Sequence, residues 1–374
     1  MPLFRTLKRA DSLADGVDSV HIIGSRQFGG ADRFYVRLVQ ALGTPDHRVL
    51  AVTRPASPIG RALGPDIDQV QIPMRNGWDI LSFLSIRRLL RQKQPAIVQT
   101  YMGRATRLTH VPPKTHAVHV ARLGGYYKVR GYYEHANAWV GNTKGVCDYL
   151  VRCGLPGDRV YLIGNFVDIP RPISQEERSS LKRNCQIPEE AVVVFSLARF
   201  ISIKGMDDLL SAFGRLPRED HSRPIHLLLA GDGPLRPQLE ALTGDLGIAD
   251  RVHWAGWQDE PGPFYEISDL FVCPSRRETL GNVILEAWAH RLPVIATRTP
   301  GAEELITHEE NGVLVPCRDP ESLAEGMREV LKAGMPVLES MAEKGMQTLR
   351  TRFSRDGIVR AYLSMYSQLG RLFA

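Results

Sequence analysis

Two glutamates near the C-terminal end of the chain have a spacing that suits ligand binding. Glu278 and Glu286 stand eight positions apart, and Leu280-Gly281-Asn282 between them has the pattern of a helix start. The first backbone N–H groups of a helix have no partner inside the helix and attract phosphate, and glycine permits close approach. Glu286 lies five residues beyond Gly281, which is roughly 7–8 Å along a helix. The spacing predicts an anion site with a carboxylate on each side.

The two carboxylates indicate hydroxyl groups on either side of the anion, because carboxylates accept charge-assisted hydrogen bonds. A nucleoside diphosphate sugar has this layout, with ribose, diphosphate and hexose in a row. Glu286 is then expected to hold the ribose hydroxyls and Glu278 the hydroxyls of the donor sugar. The other interpretation is a solvated helix start with acidic residues near the positive end of the helix dipole.

Two cations are expected to meet the same ligand. Arg199 and Lys204 follow the predicted buried strand Ala191–Leu197 across a turn that ends in Lys204-Gly205. Cations at the carboxyl end of a parallel strand are well placed to bind a diphosphate. The alternative is a pair of surface charges on a loop.

The segment from Leu197 to Leu331 resembles the nucleotide-sugar-binding half of the retaining GT-B glycosyltransferases of family 4. Five elements occur in the order of that family, and together they are far more specific than any one of them. They are Leu197–Arg199 with Lys204-Gly205, Ala230–Pro234, Val252–Trp257, Glu278–Glu286, and Thr299–Glu304 followed by Asn311-Gly312. The resemblance of the N-terminal half is looser.

The resemblance implies roles for several residues of the C-terminal half. The matching Arg199 and Lys204 neutralise the leaving diphosphate in that family, and Gly231 is expected to let the backbone approach the ligand. The Gly256-Trp257 position lines the base pocket. Trp257 is expected either to stack on the base or to pack at the rim.

The acceptor side is predicted from residues that follow strands of the N-terminal half. Gly29-Gly30 ends the first strand, where family members carry a glycine pair beside the reacting sugar; a tight turn would also satisfy it. Tyr101, Arg104 and Asn142 follow further strands and are expected to line the acceptor site.

The catalytic histidine of many family members has no clear match. His119 lies inside the predicted strand Thr115–Ala121 and is expected to be a core histidine. Arg122 follows that strand and is a candidate for contact with a phosphate or the donor sugar. A departure from the family pattern at this point leaves the catalytic histidine unassigned.

The chain as a whole predicts an α/β protein with the GT-B architecture, two Rossmann-like domains whose parallel sheets face each other across a cleft. Alternating strands and helices indicate βαβ units. We expect an acceptor-binding domain over residues 1–168 and a nucleotide-sugar-binding domain over 169–355, with the linker near Asn165–Pro172. The C-terminal helix, within 356–374, is expected to complete the first domain, as the resemblance implies.

Composition agrees with a two-domain globular protein. The chain has 374 residues, 43% hydrophobic and 24% charged, without the signature of disorder. Five cysteines without metal-type spacing predict reduced thiols and a cytoplasmic location. Residues 1–12 are polar and mixed in charge, which predicts no secretory signal, and no apolar run has the length of a membrane span.

Charge is unevenly distributed along the chain. Residues 1–168 carry 23 Lys+Arg and 12 Asp+Glu, a net +11, and the remainder carries 24 and 29, a net −5. A basic half suits anionic lipid or a phosphorylated glycan, and no nucleic-acid-reading module accompanies it. The segment Asp79–Lys93 predicts a basic amphipathic helix, which either packs its apolar face on the sheet or lies on an anionic membrane. The protein is therefore expected to be peripheral on the inner membrane face.

No metal or other cofactor is predicted. Asp66 and Asp68 have the spacing of a metal-binding acid pair, but they lie in a Gly/Pro-bounded stretch far in sequence from the donor elements. We interpret them as part of a surface loop. Arg199 and Lys204 can supply the electrostatic stabilisation that a cation would give.

The sequence thus predicts a hexosyltransferase that moves a sugar from a nucleotide sugar to a hydroxyl of a glycan or glycolipid. The resemblance implies retention of configuration. The basic N-terminal half, together with the resemblance of Ala121–Lys128 to transferases of the bacterial envelope, favours lipopolysaccharide core or another glycolipid at the inner membrane as acceptor. A GT-B nucleotide-sugar epimerase and a catalytically silent sugar-nucleotide-binding protein are the alternatives.

Overall fold

The computed structural model describes residues 18–26, 28–113 and 115–373. Residues 1–12, for which the sequence predicts no secretory signal, lie outside the described residues. The chain divides into two compact units, Met1–Phe166 with Ser354–Ala374, and Val167–Phe353. Within the described ranges, none of the helices has the length and hydrophobicity that a bilayer span requires.

The first unit is built on a wholly parallel sheet. Its strands and helices up to the junction are β1 Ser19–Ile23, α1 Gly30–Leu42, β2 Val49–Thr53, α2 Pro58–Ala62, β3 Asp68–Gln71, α3 Ile80–Lys93, β4 Ile97–Tyr101, α4 Met102–Leu108, β5 Val118–Leu123, β6 Ala138–Gly141, α5 Lys144–Arg152 and β7 Val160–Leu162. The strand order is β3-β2-β1-β4-β5-β6-β7. The order reverses between β1 and β4, which is where ligands bind in open α/β sheets.

The second unit repeats this plan. Its elements are α6 Gln175–Asn184, β8 Val192–Leu197, α7 Met206–Phe213, β9 Glu219–Asp220, β10 Arg223–Ala230, α8 Arg236–Asp245, β11 Val252–Gly256, α9 Gly262–Glu266, β12 Leu270–Cys273, α10 Asn282–Ala289, β13 Val294–Thr297, α11 Pro300–Leu305, β14 Val313–Val315, α12 Pro320–Lys332 and α13 Met335–Arg352. The parallel strands have the order β11-β10-β8-β12-β13-β14, and β9 pairs with β10 antiparallel. The order reverses between β8 and β12.

Helices cover both faces of the second sheet, so its central strands are buried on both sides. Along β8, Val193 and Phe195 pack in one core cluster with residues of α10 and α13. Val192 and Val194 pack in another cluster with residues of α7 and α12. This alternation is the two-residue period of a strand.

The last helix, α14 Arg355–Phe373, belongs to the first unit. Ile358, Tyr362, Met365 and Leu369 recur at helical spacing and pack in the core cluster that contains residues of β1 and α1. The Tyr366 hydroxyl donates to Gln99 Oε1 at 2.6 Å. The C-terminal helix therefore packs in the core of the first unit.

Several predictions about the elements are wrong in detail. The short α2 and β3 are absent from the sequence prediction, and Asp68 is the first residue of β3 rather than part of a loop. The strand expected over Thr115–Ala121 is β5 Val118–Leu123, so Arg122 lies inside it. The apolar side of α3 is split, because Ile86, Leu89 and Leu90 are buried whereas the apolar residues of its first turns are exposed.

Candidate active site

The predicted helix start between the two glutamates is confirmed. Strand β12 ends at Cys273, and α10 begins at Asn282 after Gly281, whose φ of +91° lies in the left-handed region that favours glycine. Leu280 is buried in the core, so only its backbone can contribute to a ligand site. Glu278 lies in the loop before the helix and Glu286 lies in its second turn.

Lys204 and Glu278 form an ion pair, although they are 74 residues apart. Lys204 follows β8 and Glu278 follows β12, and these strands are neighbours at the reversal of strand order. Burial opposes the charge on Lys204, but the Glu278 carboxylate outweighs it and raises the pKa of the ammonium. Ser275 Oγ also donates to Glu278 Oε2 at 3.3 Å. The site therefore holds a fixed cation beside a fixed carboxylate.

Arg276 holds the loop that carries Glu278 and was not predicted from the sequence. Its guanidinium contacts Asp207 Oδ2 at 2.7 Å and Asp208 Oδ1 at 2.8 Å, both in the first turn of α7. Its backbone N–H donates to Ile203 O at 2.9 Å, next to Lys204. The available signal was the pair of adjacent acids after Lys204-Gly205, because two neighbouring carboxylates can share one guanidinium group.

Glu286 projects from α10 toward a buried aromatic pair. Tyr265 Oη donates to Glu286 Oε2 at 3.3 Å. The Tyr265 ring is buried and stacks on His290 with a centroid separation of 5.0 Å. The tyrosine restricts the orientation of the carboxylate that the sequence assigns to ribose.

The ends of β8, β10 and β11 are joined by backbone contacts at Gly231. Its φ is +126°, and a Cβ at this position would lie 1.8 Å from Ala198 O. Its N–H donates to Gly256 O at 2.7 Å. Trp257 follows β11 with 49% of its surface exposed, and its Nε1 donates to Asp259 Oδ1 at 3.2 Å. Arg199, at the end of β8, is also exposed.

In the first unit, the glycine pair forms the start of α1. Gly29 is the N-cap and Gly30 the first helical residue. The Gly29 N–H donates to Asp32 Oδ2 at 2.9 Å, and Asp32 Oδ1 is buried without a partner. Burial raises the pKa of this carboxyl despite hydrogen bonds from Gly29 and Ser25. Asp32 was not singled out from the sequence, although an acid three positions after the cap is the pattern of a capping box.

Two of the predicted ligand contacts of the first unit must be corrected. Tyr101 is buried, and its hydroxyl accepts from Gln99 Nε2 at 2.6 Å and lies 2.9 Å from His21 Nδ1. It belongs to the core and does not line an open acceptor surface. Arg122 is 3% exposed, and its side chain forms hydrogen bonds with other residues of the first unit.

Arg122 links β5 to the C-terminal helix. Its Nε donates to Tyr362 Oη at 3.1 Å and its Nη2 donates to Asn165 Oδ1. The guanidinium also lies over the Phe34 ring, 4.1 Å from its centroid. These contacts give Arg122 a structural role in place of the predicted contact with phosphate or donor sugar.

The remaining acceptor-side predictions have distinct surroundings. Arg104 is half-buried, and its Nη1 donates to Gly24 O at 2.9 Å. Asn142 follows β6 and is buried, with its Oδ1 left without a partner. Such an oxygen can accept a hydrogen bond from a ligand hydroxyl.

His119 is a core residue, as predicted. It is 1% exposed, and its Nε2 lies 2.9 Å from Thr100 Oγ1. Burial, followed by the neighbouring His135 and His110, lowers its pKa to about 3. It therefore stays neutral at physiological pH.

The described ranges contain no group of three or more His, Cys, Asp or Glu side chains arranged to hold a metal ion. The five cysteines are free thiols. Burial, together with the nearby Glu278 carboxylate, raises the pKa of Cys273 to about 11.

Comparison with known proteins places these features in a family. Residues 177–348 match the model described as Glycosyl transferases group 1, and residues 28–171 match Glycosyltransferase Family 4. Among curated relatives, the lipopolysaccharide core biosynthesis glycosyltransferase LpsE of Rhizobium meliloti (strain 1021) is 33% identical over 343 residues, 90% of this chain and 95% of its own. LpsD of the same organism is 34% identical over 346 residues, covering 91% and 95%.

Solved structures share the fold. Anabaena Alr3699/HepE in complex with UDP-glucose superposes with a TM-score of 0.80 at 18% identity, covering 94% of this chain and 99% of that one. The predicted GT-B fold is thus confirmed. With both family models matched and two relatives aligned over nearly the whole length, the chain belongs to the group 1 glycosyltransferases and is a transferase enzyme.

Proposed function

We propose that this glycosyltransferase moves a hexose-type sugar from a nucleoside diphosphate sugar to a hydroxyl of a lipopolysaccharide core or related envelope glycan. The observation that carries the proposal is the Lys204–Glu278 ion pair beside the start of α10, with Glu286 in the second turn of that helix. Cation, helix N-terminus and two carboxylates supply the groups that a diphosphate flanked by two sugars requires.

The diphosphate is the leaving group, and the site stabilises its growing charge. Lys204, Arg199 and the backbone of Leu280-Gly281-Asn282 provide positive potential that is already oriented before the reaction. Glu278 balances the charge of Lys204. When the donor is bound, Lys204 shifts part of its interaction to the diphosphate, and Glu278 accepts a hydrogen bond from a sugar hydroxyl.

The transfer proceeds with retention. The acceptor hydroxyl attacks the anomeric carbon on the face that the diphosphate leaves, the bond from that carbon to the diphosphate oxygen breaks, and the hydroxyl proton passes to a diphosphate oxygen. Proton NMR of the product tests this point. An α-configured donor should give an α-configured product, and a β-configured product would contradict retention.

No metal ion takes part in the proposed reaction, because Arg199 and Lys204 carry out its electrostatic role. Initial rates should be unchanged after treatment with a chelator. Loss of activity that returns with a divalent cation would contradict this part of the proposal.

The identity of donor and acceptor is proposed from relatives. LpsE and LpsD are named for lipopolysaccharide core biosynthesis, so the first acceptor to test is lipopolysaccharide core. HepE was solved with UDP-glucose, so UDP-glucose is the first donor to test.

We also propose that the first unit binds the inner membrane face through α3. Trp78, just before α3, and Ile80, Leu81 and Leu84 in its first turns are 75%, 70%, 52% and 54% exposed. The Arg107 guanidinium lies 3.4 Å from the centroid of the Trp78 ring, and Arg88 and Arg91 are exposed further along the helix. Exposed aromatic and aliphatic side chains beside arginines suit an anionic lipid surface.

Flotation with phosphatidylglycerol vesicles tests the membrane proposal. The full chain should float with the vesicles, and Trp78→Ser/Leu81→Ser should reduce the floating fraction. Val151→Ser, which removes a 47%-exposed apolar residue from α5, is the matched control. Raising salt to about 0.5 M should weaken binding by screening. Equal flotation of wild type and the double variant would contradict the role of α3.

A thermal-shift panel of nucleoside diphosphate sugars tests the donor site. One donor should stabilise the wild type, because a ligand that binds only the folded state raises its stability. Glu286→Ala should lose that stabilisation, whereas Glu325→Ala on the exposed side of α12 should keep it. The absence of any donor-dependent shift in the wild type, or equal shifts in both variants, would overturn the assigned donor site.

A further inference from the structure

The first unit contains an arginine-lined cavity that the donor chemistry does not use. The cavity has a volume of about 430 Å³ and is lined by the loops that follow β1, β2 and β3. Arg26, Arg54 and Arg75 each contribute from a different loop. These loops lie at the same edge of the sheet as Gly29-Gly30, because all strands of the sheet run parallel.

Arg54 is the central observation. The residue is only 5% exposed, and its Nη1 atom is buried without a hydrogen-bond partner. A buried guanidinium nitrogen without an acceptor is costly, so native proteins normally pair it with an anion or a carbonyl group. Because Arg54 also lines the cavity, an anion bound there would offset the charge of its guanidinium.

The surrounding charges point the same way. Burial, followed by the like charges of Arg26 and Arg104, lowers the pKa of Arg54, and Asp79 offsets this only in part. The Asp79 carboxylate is already occupied, since it accepts from the backbone N–H groups of Arg75 and Ser82 and from the Ser82 hydroxyl. Within the described part of the chain, the cavity thus concentrates positive charge that Asp79 offsets only in part.

The walls of the cavity are held in fixed positions. Arg104 Nη1 donates to Gly24 O at 2.9 Å, which ties α4 to the loop that follows β1. Ala56 and Met74, in the other two loops, have φ of +54° and +40°, values that non-glycine residues adopt at an energetic cost. The arginines are therefore presented by a defined backbone.

We propose that this cavity binds an oxyanion, a phosphate or a carboxylate, carried by the acceptor glycan. The planar guanidinium fork matches both groups through paired N–H donors, and the volume suffices for a charged group together with part of its sugar. The inference rests on the proposed function and deepens it, because it makes the acceptor a phosphorylated or acidic sugar rather than a neutral one.

The cavity can be tested without glycosyl transfer, by calorimetric titration of the full chain with inorganic phosphate and, separately, with D-galacturonate. Lys204→Met serves as the parent protein, so that phosphate binding at the donor site is suppressed. Arg54→Gln and Arg26→Ala/Arg75→Ala should each weaken binding by at least about tenfold, the loss expected for a charged hydrogen bond. Arg61→Ala, an exposed arginine on α2, is the control of equal charge change and should bind as the parent does.

The titrations show whether the cavity binds an anion and which anion it prefers. Preference for phosphate or for galacturonate identifies which oxyanion the cavity recognises. Absence of binding by the parent to both anions, or equal binding by the parent and the arginine variants, would overturn the site. If Arg54→Gln fails to fold, as judged by circular dichroism, the double variant decides, because Arg26 and Arg75 are exposed.

Kinetics then separate this inference from the proposed function. With lipopolysaccharide core as acceptor, removal of its phosphate or reduction of its carboxylates should raise KM in the wild type, and Arg26→Ala/Arg75→Ala should abolish the difference. Transfer with the same KM for charged and neutralised acceptors would sink the acceptor inference while leaving the transferase proposal intact. If the cavity binds anions as expected but the protein transfers no sugar, the transferase proposal is contradicted and the anion site stands.

Discussion

At the scale of single residues, the ion pair between Lys204 and Glu278 couples two residues whose roles were predicted separately. The sequence assigned the lysine to the diphosphate and the glutamate to the donor sugar. The structure joins them through one carboxylate that also accepts from Ser275. The two side chains therefore act as a unit, and removal of either alters the electrostatics of the other.

We predict that Lys204→Met lowers kcat/KM for the donor by about 10²–10³-fold, since it removes a preorganised charge from the leaving group. Glu278→Gln should also lower kcat/KM, and Lys204→Met/Glu278→Gln should lose less than the product of the single effects. Initial rates of all four proteins give the coupling, expected to be about 0.5–3 kcal/mol for charges in contact. Lys332 is an exposed lysine of α12, and Lys332→Met should leave the rate unchanged. If the effects of Lys204→Met and Glu278→Gln simply multiply in the double variant, the two side chains do not act together.

Residue prediction failed where side-chain direction decided the outcome. Tyr101 and Arg122 were placed near the right strands, but both side chains are buried. A central strand of a parallel sheet has both faces covered, so the position of a residue along it does not reveal which residues will surround it. Asp32 and Arg54 were missed for the complementary reason, because their buried, unpartnered atoms are properties of packing.

At the scale of elements, the turns at the carboxyl ends of the strands set the positions of the site residues. Gly231 allows the backbone after β10 to pass against Ala198 at the end of β8. Gly244, near the end of α8, is an ordinary helical glycine, and a Cβ there would meet no atom within 4 Å. The two positions give opposite expectations for the same substitution.

Gly231→Ala should lower the free energy of unfolding by more than about 2 kcal/mol. The alanine would have to adopt a positive φ, and its methyl group would clash with the backbone at Ala198. Gly244→Ala should raise it by about 0.5–1 kcal/mol through helix propensity. Urea denaturation of the three proteins measures both effects. A stable Gly231→Ala protein that still binds donor would show that this close approach is dispensable.

Prediction of elements succeeded where periodicity was long and failed where it was short. The helices α3 and α14 and the strand β8 were predicted with small boundary shifts. The five residues of α2 and the four of β3 are too few to show a period, and their Gly/Pro-rich surroundings resemble a loop. The polar Arg122 concealed the true end of β5, since its partner Tyr362 lies 240 residues away.

At the scale of the whole molecule, buried histidines make the first unit sensitive to acid. His21 is fully buried, with its ring nitrogens bonded to Tyr101 Oη at 2.9 Å and Ser19 Oγ at 3.1 Å. Burial, followed by the charge of His47, lowers its pKa to about 3. His119 has the same low pKa, from burial and the adjacent His135 and His110.

Folding lowers the pKa of both histidines from the ordinary value of 6.5 for a solvated imidazole, so their neutral forms belong to the native state. Their contribution to stability is complete above about pH 6.5 and is lost as pH falls toward about 3, because only the unfolded chain takes up the protons. Each should reduce the free energy of unfolding by about 1.4 kcal/mol per pH unit in that window. Urea denaturation at about pH 7, 6 and 5 measures the slope.

His119→Gln keeps a polar partner for Thr100. It should make the slope shallower by about 1.4 kcal/mol per pH unit, the contribution of one histidine. His116→Gln, at an exposed position, should leave it unchanged. An identical pH dependence for wild type and His119→Gln would show that folding does not lower the pKa of His119.

The sequence by itself determined the features that depend on local spacing and periodicity. These are the alternating strands and helices, the helix that begins after Gly281, and the positions of Glu278 and Glu286 on either side of that start. The family resemblance rested on the same local motifs. Such features survive in sequence because each is set by residues within a few turns or one strand of each other.

Only the tertiary structure decided which distant residues meet. The order β11-β10-β8-β12-β13-β14 places the loop after β8 beside the loop after β12, and this brings Lys204 to Glu278 across 74 residues. The order β3-β2-β1 gathers three arginines around one cavity. Spacing along the chain cannot contain this information, because parallel strands become neighbours through crossover connections and bring their carboxyl ends together only when the sheet forms.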